Sequence, residues 1–507
     1  MRILFVTMAQ VDVGPAGPTS QFASTRYRVL MPALELDRLG HQVQIATLPP
    51  GPVAPAFLQH PCDALVFSKS FRPEHEVMVN AARGRGARIV ADYCDDHFER
   101  SDIGPWYTRL ARTADVVIAS TPAMAEAVRR HAGRDAVVIT DPIEGRRSEP
   151  SFQPRLPRLR VLWFGNANNL MSIVEHIGEV RELAAQVPVD LTILTTPGPA
   201  VDNLLADVIR QDPARISGRV EAWSIEGTWK ALEACDLVWI PVVSGESYSV
   251  KSPNRLVESV WAGRYVVADA MPAYDPYADV VAVGKGLAKG AMDALADPAG
   301  VEKRIGLAQR RVAREHSLFE VGRQWARAMG DASERPLRLN LGCGDKILPG
   351  YVNVDVVQAR AGMRPDVICD LHDLAPFDDA SADEILSVHV VEHFWRWEVR
   401  DVLREWVRVL KPGGRMVIEC PNIASACETF LQDPVRNARE DQAGQRTMWV
   451  FYGDPQWKDP LMIHRWGYTP ESLKSLLAEA GLADVRQEPA QFKLREPRDM
   501  RVVGVKA

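Results

Sequence analysis

The segment from Leu339 to Asp355, with the sequence LNLGCGDKILPGYVNVD, constrains the fold more than any other stretch of the chain. An apolar run stops abruptly at Gly342 and Gly344, and a second short apolar run ends on an acid, Asp355. Glycine lets the backbone pass close to a ligand because it has no Cβ atom. An acid that closes the next strand can accept hydrogen bonds from both hydroxyls of a ribose. The segment therefore predicts a nucleoside site at the carboxyl ends of parallel strands.

Further segments follow this one in a fixed order. A Gly-x-Gly motif by itself also fits an ordinary strand-to-helix turn, so Gly342 and Gly344 alone are weak evidence for a nucleoside site. Here LNLGCGD and VNVD are followed by VICDL at 367–371, ILSVHVVEH at 385–393 and LKPGGR at 410–415. This series resembles the class I S-adenosylmethionine-dependent methyltransferases over about residues 337–507.

The resemblance implies that seven residues bind S-adenosylmethionine: Gly342, Cys343, Gly344, Asp355, Asp370, Leu371 and His389. The glycine turn would pass the methionine part of the cofactor, and Asp355 would bind its ribose. Asp370 and Leu371 would border the adenine, and His389 would lie near the reacting centre. Much of the rate would come from holding two reactants in line.

The chain departs from this family pattern in two places. The acid often found at the end of the first strand is Asn340 here, which implies a weaker or water-bridged contact with the amino-acid end of the cofactor. Only 10 residues separate Gly344 from Asp355, so we expect the first crossover helix to be short or missing. Other segments would then have to cover more of the cofactor.

The aromatic-rich segment from Thr447 to Tyr468 is the candidate cover. It fits either an ordinary apolar plug over the sheet or an acceptor wall whose aromatic faces stack on a sugar ring. In the second interpretation His464 or His393 is a general base for a hydroxyl acceptor. Glu392 and His393 equally fit a structural role at the start of a helix.

Residues 1 to about 150 alternate apolar strands with amphipathic helices, which predicts a parallel, doubly wound sheet. Polar residues cluster where the strand-end loops should lie. Asp95 and His97 would face a cleft there and contact an acceptor hydroxyl, although Asp95 with Asp96 also fits a helix N-cap. Arg26 and Arg28 would hold an anionic group or remain solvated helix charges.

The alternation of strands and helices restarts after a connector rich in Pro and Arg, Pro150 to Pro157. The most informative stretch of this second region is SGESYSVKSPNRLVESVWAG at 244–263. It predicts a polar loop and then a helix with Ser252 as N-cap and Pro253 in the first turn. Basic and amide side chains at that positive helix end would suit a diphosphate.

Two consecutive Rossmann-like halves with this loop and helix resemble a GT-B glycosyltransferase, nearest the group-4 retaining type. The segments RILFVT, STRYRVLMPALEL, IVADYCDDHFE, TADVVIAST, VLWFGN and KSPNRLVESVWAGRYVVA carry the resemblance over about residues 1–330. It implies that five residues bind a nucleotide sugar: Gly165, Lys251, Asn254, Arg255 and Glu258. Lys251 and Arg255 would stabilise the departing donor phosphate.

One departure concerns an acid pair of this family, Glu-x7-Glu. Counting back from Glu258 places Val250 where the first Glu would stand. An altered or inactive donor site is therefore an open alternative. Considered singly, Glu258 also fits a surface helix acid, and Lys251 with Arg255 an ordinary basic helix start.

Composition narrows the function classes. The 507 residues are 46% apolar and 25% charged, with a net charge of −6 and no basic block, so we expect no nucleic-acid partner. The seven cysteines are sparse, and no Cys or His set has ligand spacing, so we expect neither disulfides nor a metal. Without a signal peptide or a membrane-spanning apolar run, we expect a cytoplasmic protein, with peripheral membrane contact and oligomeric state left open.

The sequence thus predicts an α/β protein with three domains. Residues 1–150 and 155–330 would form the acceptor and nucleotide-sugar sides of a GT-B enzyme, and 337–507 a methyltransferase. Joining the two suggests a shared glycan, with a sugar added and a hydroxyl methylated in surface polysaccharide or glycoconjugate assembly. The alternative is an active methyltransferase beside a GT-B-like module that only binds glycan or nucleotide. A third class, in which both parts are scaffolds, fits the intact set of Gly342, Gly344, Asp355 and Asp370 least.

Overall fold

The computed structural model divides the chain into two compact units, Met1–Ala332 and Ser333–Ala507. The larger unit contains two six-stranded sheets, and the smaller unit contains one seven-stranded sheet. No helix in the described part of the chain has the length and apolarity needed to cross a bilayer. The structure describes residues 1–14, 17–48, 51–70, 72–243, 245, 249–331, 336–439, 442–492 and 498–507, with only the backbone for 442–446.

The first sheet of the larger unit is entirely parallel, in the order β4-β1-β5-β6-β7-β8. Its strands are continuous apolar runs because helices cover both faces of the sheet; all five residues of Ala64–Ser68 are buried. A short hairpin, β2 and β3, lies outside it. The strands are β1 (Arg2–Thr7), β2 (Asp12–Gly14), β3 (Gly17–Thr19), β4 (Gln42–Thr47), β5 (Ala64–Ser68), β6 (Arg88–Tyr93), β7 (Val116–Ala119) and β8 (Val137–Val138).

Helices flank this sheet, and the first of them is continuous through a π-helical turn at Arg26–Leu30. That turn lies between α1 and α2, and all five of its residues are buried. The helices are α1 (Ala23–Thr25), α2 (Met31–Arg38), α3 (Pro55–Gln59), α4 (Glu76–Arg83), α5 (Gly104–Thr113) and α6 (Pro122–Ala132), with a 3₁₀ turn at Pro73–His75.

The second sheet is also parallel, in the order β11-β10-β9-β12-β13-β14, which is the Rossmann order 3-2-1-4-5-6. Its strands are β9 (Leu159–Phe164), β10 (Val189–Thr195), β11 (Ile216–Ala222), β12 (Leu237–Ile240), β13 (Tyr265–Ala268) and β14 (Ala282–Val283). Its helices are α7 (Met171–Glu175), α8 (Ile177–Ala184), α9 (Pro199–Arg210), α10 (Ile225–Ala234), α11 (Asn254–Trp261), α12 (Leu287–Ala296) and α13 (Pro298–His316), with 3₁₀ turns at Ala167–Asn169 and Asp275–Tyr277.

The last helix of the larger unit, α14 (Leu318–Ala328), returns to the first sheet. Trp325 is fully buried, and its ring centroid lies 5.6 Å from that of Phe5 on β1. Val321 and Met329 belong to the same apolar cluster. The helix that follows His316 therefore packs against the first half of the larger unit.

The smaller unit has the sheet order β17-β16-β15-β18-β19-β21-β20, with β21 antiparallel to both of its neighbours. The strands are β15 (Arg338–Leu341), β16 (Val352–Asp355), β17 (Val367–Ile368), β18 (Ala382–Val388), β19 (Leu410–Pro421), β20 (Leu482–Glu488) and β21 (Asp499–Lys506). The helices are α15 (Val399–Val409), α16 (Ile423–Gln432), α17 (Pro434–Asn437), α18 (Gln442–Tyr452) and α19 (Pro470–Glu479), with 3₁₀ turns at Val391–His393, Pro455–Trp457 and Pro460–Met462.

The three sheets confirm the predicted fold class. The expectation about the first crossover of the third sheet is confirmed too: β15 connects to β16 through turns, without a helix.

The N-cap prediction for α11 is wrong, because Pro253 occupies the cap position and no side chain caps the helix. With Pro253 at the cap, Ser252 lies one residue too early to bond the first free amides of the helix.

Candidate functional sites

A cavity of about 470 Å³ lies between the two halves of the larger unit. This volume is within the usual range for a small-molecule site. Six of the residues predicted to bind the nucleotide sugar or the acceptor line it: Asp95, Gly165, Lys251, Asn254, Arg255 and Glu258. His97 is not among the lining residues, and its ring lies 5.7 Å from that of Tyr107. The structure therefore brings the predicted donor residues together with Asp95 but without His97.

Strand ends account for this convergence. Asp95 follows β6, and Gly165 directly follows β9. Lys251 and Asn254 lie in the loop and first turn of α11, which follows β12. The carboxyl ends of parallel strands meet at one edge of each sheet, and ligands bind there.

Asp95 accepts hydrogen bonds from two ammonium groups, those of Lys69 and Lys251. Lys69 comes from the first half and Lys251 from the second, so one carboxylate joins the two halves. Burial by itself would raise the pKa of Asp95, but the two cations outweigh burial and hold the pKa well below its usual value. Asp95 is thus a fixed anion and not an N-cap.

Arg26 and Arg28 are not solvated helix charges, since their residues are 6% and 0% exposed. Arg28 is paired with Asp92, and its Nη1 lies 3.1 Å from Asp141 Oδ1. Arg26 Nε lies 2.9 Å from Glu144 Oε2. Both guanidinium groups are already matched by carboxylates, so they shape the cavity wall and leave anion binding to other cations.

Asn254 is joined to the same network, because its Nδ2 donates to Asp141 Oδ2 at 2.8 Å. Sequence reasoning missed Asp141, although the residue follows the apolar run of β8 just as Asp95 follows β6. The position of an acid after a predicted strand was the signal available for both.

Glu258 lies on α11 and accepts a hydrogen bond from Tyr27 on the other half. Burial raises its pKa to about 7, and the Tyr27 hydroxyl opposes that rise. Glu258 is therefore not a surface helix acid. Tyr27 itself was missed, since nothing in its local sequence marks a tyrosine as the partner of a distant carboxyl.

Arg255 has no carboxylate within ion-pair distance among the described residues, although its charge opposes the rise in the pKa of Glu258. Its Nη1 is buried and has no hydrogen-bond partner among the described residues. A Cβ atom added at Gly165 would lie 3.7 Å from this Nη1, so the glycine borders the guanidinium. A buried donor without a partner destabilises the protein unless a ligand satisfies it, which makes Arg255 a candidate phosphate contact.

In the smaller unit the glycine turn has the backbone that the sequence predicted. Gly342 and Gly344 have φ of +70° and +55°. Gly344 N–H donates to Asp355 Oδ2 at 2.7 Å, and Val357 N–H donates to Asp355 Oδ1 at 3.0 Å. Asp355 is 8% exposed, so its carboxylate now fixes the glycine turn, and ribose binding by Asp355 stays a prediction.

The other residues predicted for the cofactor lie around this turn. Cys369 N–H donates to Asp355 O at 2.9 Å, which brings the exposed Asp370 and the buried Leu371 next to β16. A Cβ atom at Gly342 would lie 2.4 Å from Val390 Cγ2, so the residue after His389 touches the turn. Cys343 is 4% exposed, and burial raises the pKa of its thiol to about 12, so its side chain is a neutral packing group.

Asn340 has a structural role in place of the acid expected from the family. Its Nδ2 donates to Lys346 O and to Asn353 Oδ1, both at 2.9 Å, and the residue is 3% exposed. Asn340 thereby holds the short connection that replaces the crossover helix. Its side chain is engaged in these bonds and points into the fold.

The predicted cover is anchored beside the glycine turn. Arg360 Nη2 lies 2.9 Å from Asp459 Oδ2, and the guanidinium lies 5.2 Å from the ring centroid of Trp457. A Cβ atom at Gly344 would lie 3.6 Å from Arg360 Cδ. The 447–468 segment therefore reaches the predicted cofactor site through Arg360.

The same segment meets the loop after β18 at a histidine cluster. The rings of His393 and His464 lie 4.9 Å apart, and Glu392, 2% exposed, lies beside them. His389 has φ of +57°, and its Nδ1 lies 3.2 Å from Glu392 Oε1. Burial lowers the pKa of His393, which favours the neutral imidazole that a general base requires.

Two groups of side chains among the described residues could hold a metal ion: Glu392 with His393 and His464, and His176 with Glu179 and Asp269. Spacing in the sequence revealed neither group, because each combines residues from separate elements.

One family comparison and several structural comparisons bear on the chain. Residues 350–418 match the family model described as a methyltransferase domain. This match confirms the methyltransferase resemblance and implies S-adenosylmethionine as cofactor. A comparison with curated proteins gave no significant match.

Similar solved structures exist for both parts of the chain. HepE of Anabaena in complex with UDP is 16% identical, with a TM-score of 0.48 over 65% of this chain and 100% of HepE. An E. coli structure described as trehalose-6-phosphate bound with UDP-2-fluoro glucose is 10% identical, with a TM-score of 0.48 over 65% of this chain and 99% of that one. A SAM-dependent methyltransferase from Archaeoglobus fulgidus is 19% identical, with a TM-score of 0.24 over 37% of this chain and 94% of that one.

Proposed function

We propose that the chain is a bifunctional transferase. It transfers a sugar from a nucleotide sugar and a methyl group from S-adenosylmethionine, with a glycan hydroxyl as methyl acceptor in surface polysaccharide or glycoconjugate assembly. The supporting observation is that all five residues predicted to bind the nucleotide sugar line a single cavity. A cytoplasmic location forms part of the proposal, in keeping with the sparse and odd number of cysteines in the sequence.

On the donor side, the cavity has cations that its own acids do not neutralise. Lys69 and Lys251 share the single carboxylate of Asp95, and Arg255 Nη1 has no partner among the described residues. This excess of positive charge suits the diphosphate of a donor. Lys251 and Arg255 would stabilise the charge that develops as the phosphate departs, and Asp95 would contact the acceptor hydroxyl.

On the methyl side, the glycine turn and Asp355 would hold the cofactor, and the 447–468 segment would hold the acceptor. His464 or His393 would accept the proton of the hydroxyl at Nε2, since Nδ1 of each ring contacts a backbone carbonyl. Bound S-adenosylmethionine would supply the methyl group, whose carbon would bond to the hydroxyl oxygen as the carbon–sulfur bond breaks.

Nucleotide binding tests the donor site. We expect the dissociation constants of UDP or GDP, measured by calorimetry, to rise about 10- to 100-fold in Lys251→Ala and Arg255→Ala, because charged hydrogen bonds are lost. Lys230→Ala is the matched control, since Lys230 is an exposed lysine of α10 paired only along its own helix with Glu226. Equal effects in all three variants would contradict the site.

Cofactor binding tests the methyl site separately. Asp355→Asn should weaken S-adenosylmethionine binding about tenfold or more, whereas Asp401→Asn, an exposed acid of α15, should not. Transfer itself is tested with labelled cofactor and nucleotide sugar. Label that never enters a glycan product would overturn the proposal.

One observation favours the alternative of a methyltransferase with a binding module. Val250, at the position of the family's first Glu, is 3% exposed and packs in the apolar core of the first half. The donor site therefore lacks an acid there. Nucleotide binding without sugar transfer, together with active methyl transfer, would establish this alternative.

A further inference from the structure

The histidine cluster of the smaller unit has features that proton transfer alone does not need. Glu392, His393 and His464 each present one ligand atom, and these atoms lie within 4.8 Å of one another. Two of the residues belong to the loop after β18, and the third belongs to the 447–468 segment. The group is therefore assembled only when that segment packs on the sheet.

The orientation of both imidazole rings is fixed by backbone carbonyls. His393 Nδ1 lies 3.0 Å from Ile463 O, and His464 Nδ1 lies 2.9 Å from Val450 O. A carbonyl can only accept, so Nδ1 carries the proton in both rings. Each Nε2 is then left with a lone pair. Metal-binding histidines are typically held in this way, with the other ring nitrogen donating to a carbonyl or a carboxylate.

The carboxylate of Glu392 completes the set. The side chain is 2% exposed. Apart from His389, whose Nδ1 lies 3.2 Å from Oε1, no donor among the described residues reaches either oxygen. His464 Nε2 lies 3.9 Å from Glu392 Oε1, and a ring without a proton on Nε2 cannot satisfy that oxygen. A buried carboxylate that faces two lone pairs is electrostatically unfavourable unless a cation lies between them.

His389 supports Glu392 from the other side. Its Nδ1 lies 3.2 Å from Glu392 Oε1, and its Nε2 lies 3.4 Å from Asp499 Oδ1. The left-handed backbone of His389 places the ring there, at φ of +57°. A histidine held between two carboxylates acts here as a positioning residue for Glu392.

We propose that Glu392, His393 and His464 form a binding site for a divalent transition-metal cation of the Zn²⁺ class. Two imidazole nitrogens and one carboxylate form the donor set of catalytic zinc sites that keep an open position. Ligand atoms of tetrahedral zinc lie about 3.3 Å apart, so the three side chains need to close by about an ångström or more. His393 and His464 are partly exposed, which leaves the open position accessible.

The second candidate group shares one of these features, since His176 Nδ1 lies 2.9 Å from Ser172 O, but its two acids accept backbone hydrogen bonds. His176 Nε2 lies 3.1 Å from Asp269 Oδ2, and Asp269 Oδ2 also accepts Val242 N–H at 2.8 Å. Glu179 Oε2 accepts Leu287 N–H at 2.7 Å. Each acid already has a partner, so this group provides a control.

Metal binding itself does not depend on the proposed function. The effect of the metal on catalysis, however, rests on the proposed methyl transfer to a hydroxyl. A hydroxyl at the open position would lose its proton to solvent more readily beside the cation. His393 and His464 would then act as ligands in place of the general base.

Metal content and titration of the full-length protein test the site. After dialysis against a chelator, we expect the wild-type chain to bind one equivalent of Zn²⁺ and to develop visible absorption bands with Co²⁺. Glu392→Gln and His464→Gln should weaken Zn²⁺ binding at least 100-fold. His464→Cys should retain it, because a thiolate is also a zinc ligand.

His176→Gln is the matched control and should leave the binding unchanged. Absence of Zn²⁺ binding by the wild-type chain, or loss of binding in His176→Gln but not in His464→Gln, would overturn the proposal. If the glutamine variants fail to fold, the melting temperature of the wild-type chain with and without Zn²⁺ tests the site, since bound metal must raise it. An unchanged melting temperature would overturn the proposal. S-adenosylmethionine binding is measured in the same samples, so failure of the metal site is distinguished from failure of the methyltransferase assignment.

Discussion

At the scale of single residues, Glu258 is a buried titratable group in the cavity of the larger unit. Its pKa is raised from 4.5 to about 7 by burial. Between these values the unfolded chain loses the proton while the folded chain keeps it, so ionisation opposes folding. This contribution is absent below pH 4.5, grows as the pH rises and is complete above pH 7.

We therefore expect Glu258→Gln to gain stability relative to the wild-type chain between pH 5 and pH 8, by about 1–3 kcal/mol. The amide can still accept the Tyr27 hydroxyl but cannot ionise. Chemical unfolding of both proteins across this range measures the difference. A difference in the free energy of unfolding that does not vary with pH would contradict the raised pKa.

A substitution at a left-handed glycine can destabilise the protein through backbone strain and through steric overlap of the added Cβ atom. Comparing Gly342 with Gly350 distinguishes these two effects. Their φ values are +70° and +79°, but a Cβ atom at Gly342 would lie 2.4 Å from Val390, whereas none lies within 4 Å at Gly350. Gly350→Ala should destabilise the smaller unit by about 1–2 kcal/mol through its backbone alone. Gly342→Ala should destabilise it by about 1–3 kcal/mol more, through overpacking. Equal losses of unfolding free energy in Gly342→Ala and Gly350→Ala would show that the Val390 side chain moves aside without a measurable cost.

Several of these residue positions could be predicted from the sequence, and others could not. Gly342, Gly344 and Asp355 stand in one short segment, so their proximity follows from local chain geometry. Glu258 with Tyr27, and Glu392 with His464, pair across long stretches of chain, and no local pattern encodes such a pair.

At the scale of elements, helix α14 links the end of the larger unit to its first sheet. Trp325→Ala should destabilise this unit by about 3–5 kcal/mol, because a fully buried indole against Phe5 is lost. Leu307→Ala on α13 is the control, since Leu307 is 55% exposed and should change stability by less than about 0.5 kcal/mol. Urea unfolding compares the two, and similar effects would contradict the packing of α14.

The strands were the most predictable elements, because continuous apolar runs such as Ala64–Ser68 match the observed limits of β5. Helix starts were less predictable: Pro253 replaces the expected Ser252 at the cap of α11. The sequence predicted the 447–468 segment as a cover of the cofactor site, but it could not predict the contacts that hold the segment there, such as Asp459 with Arg360.

At the scale of the whole molecule, the larger unit has two sheets and the smaller unit has one. Each unit has its own core, so we expect the two units to unfold in separate transitions. Trp325→Ala should lower only the melting temperature of the larger unit. Gly342→Ala should lower only that of the smaller unit. Differential scanning calorimetry resolves the transitions, and a single transition lowered by both variants would contradict independent unfolding.

The three-sheet organisation could be predicted because strand–helix alternation restarts twice along the chain. The GT-B arrangement of the first two sheets followed from the resemblance alone. The cavity between them depends on contacts made by residues of both halves, as between Tyr27 and Glu258, and composition or periodicity cannot specify such contacts.

Asp95 and its two lysines have a kinetic consequence. If a nucleotide sugar binds as proposed, its diphosphate would compete with Asp95 for the ammonium group of Lys251 and would displace the carboxylate. Asp95 would then be held by Lys69 alone and would become available to the second substrate only after the first is in place. Bisubstrate kinetics should accordingly show compulsory order with the nucleotide sugar leading, and product-inhibition patterns of random addition would contradict it.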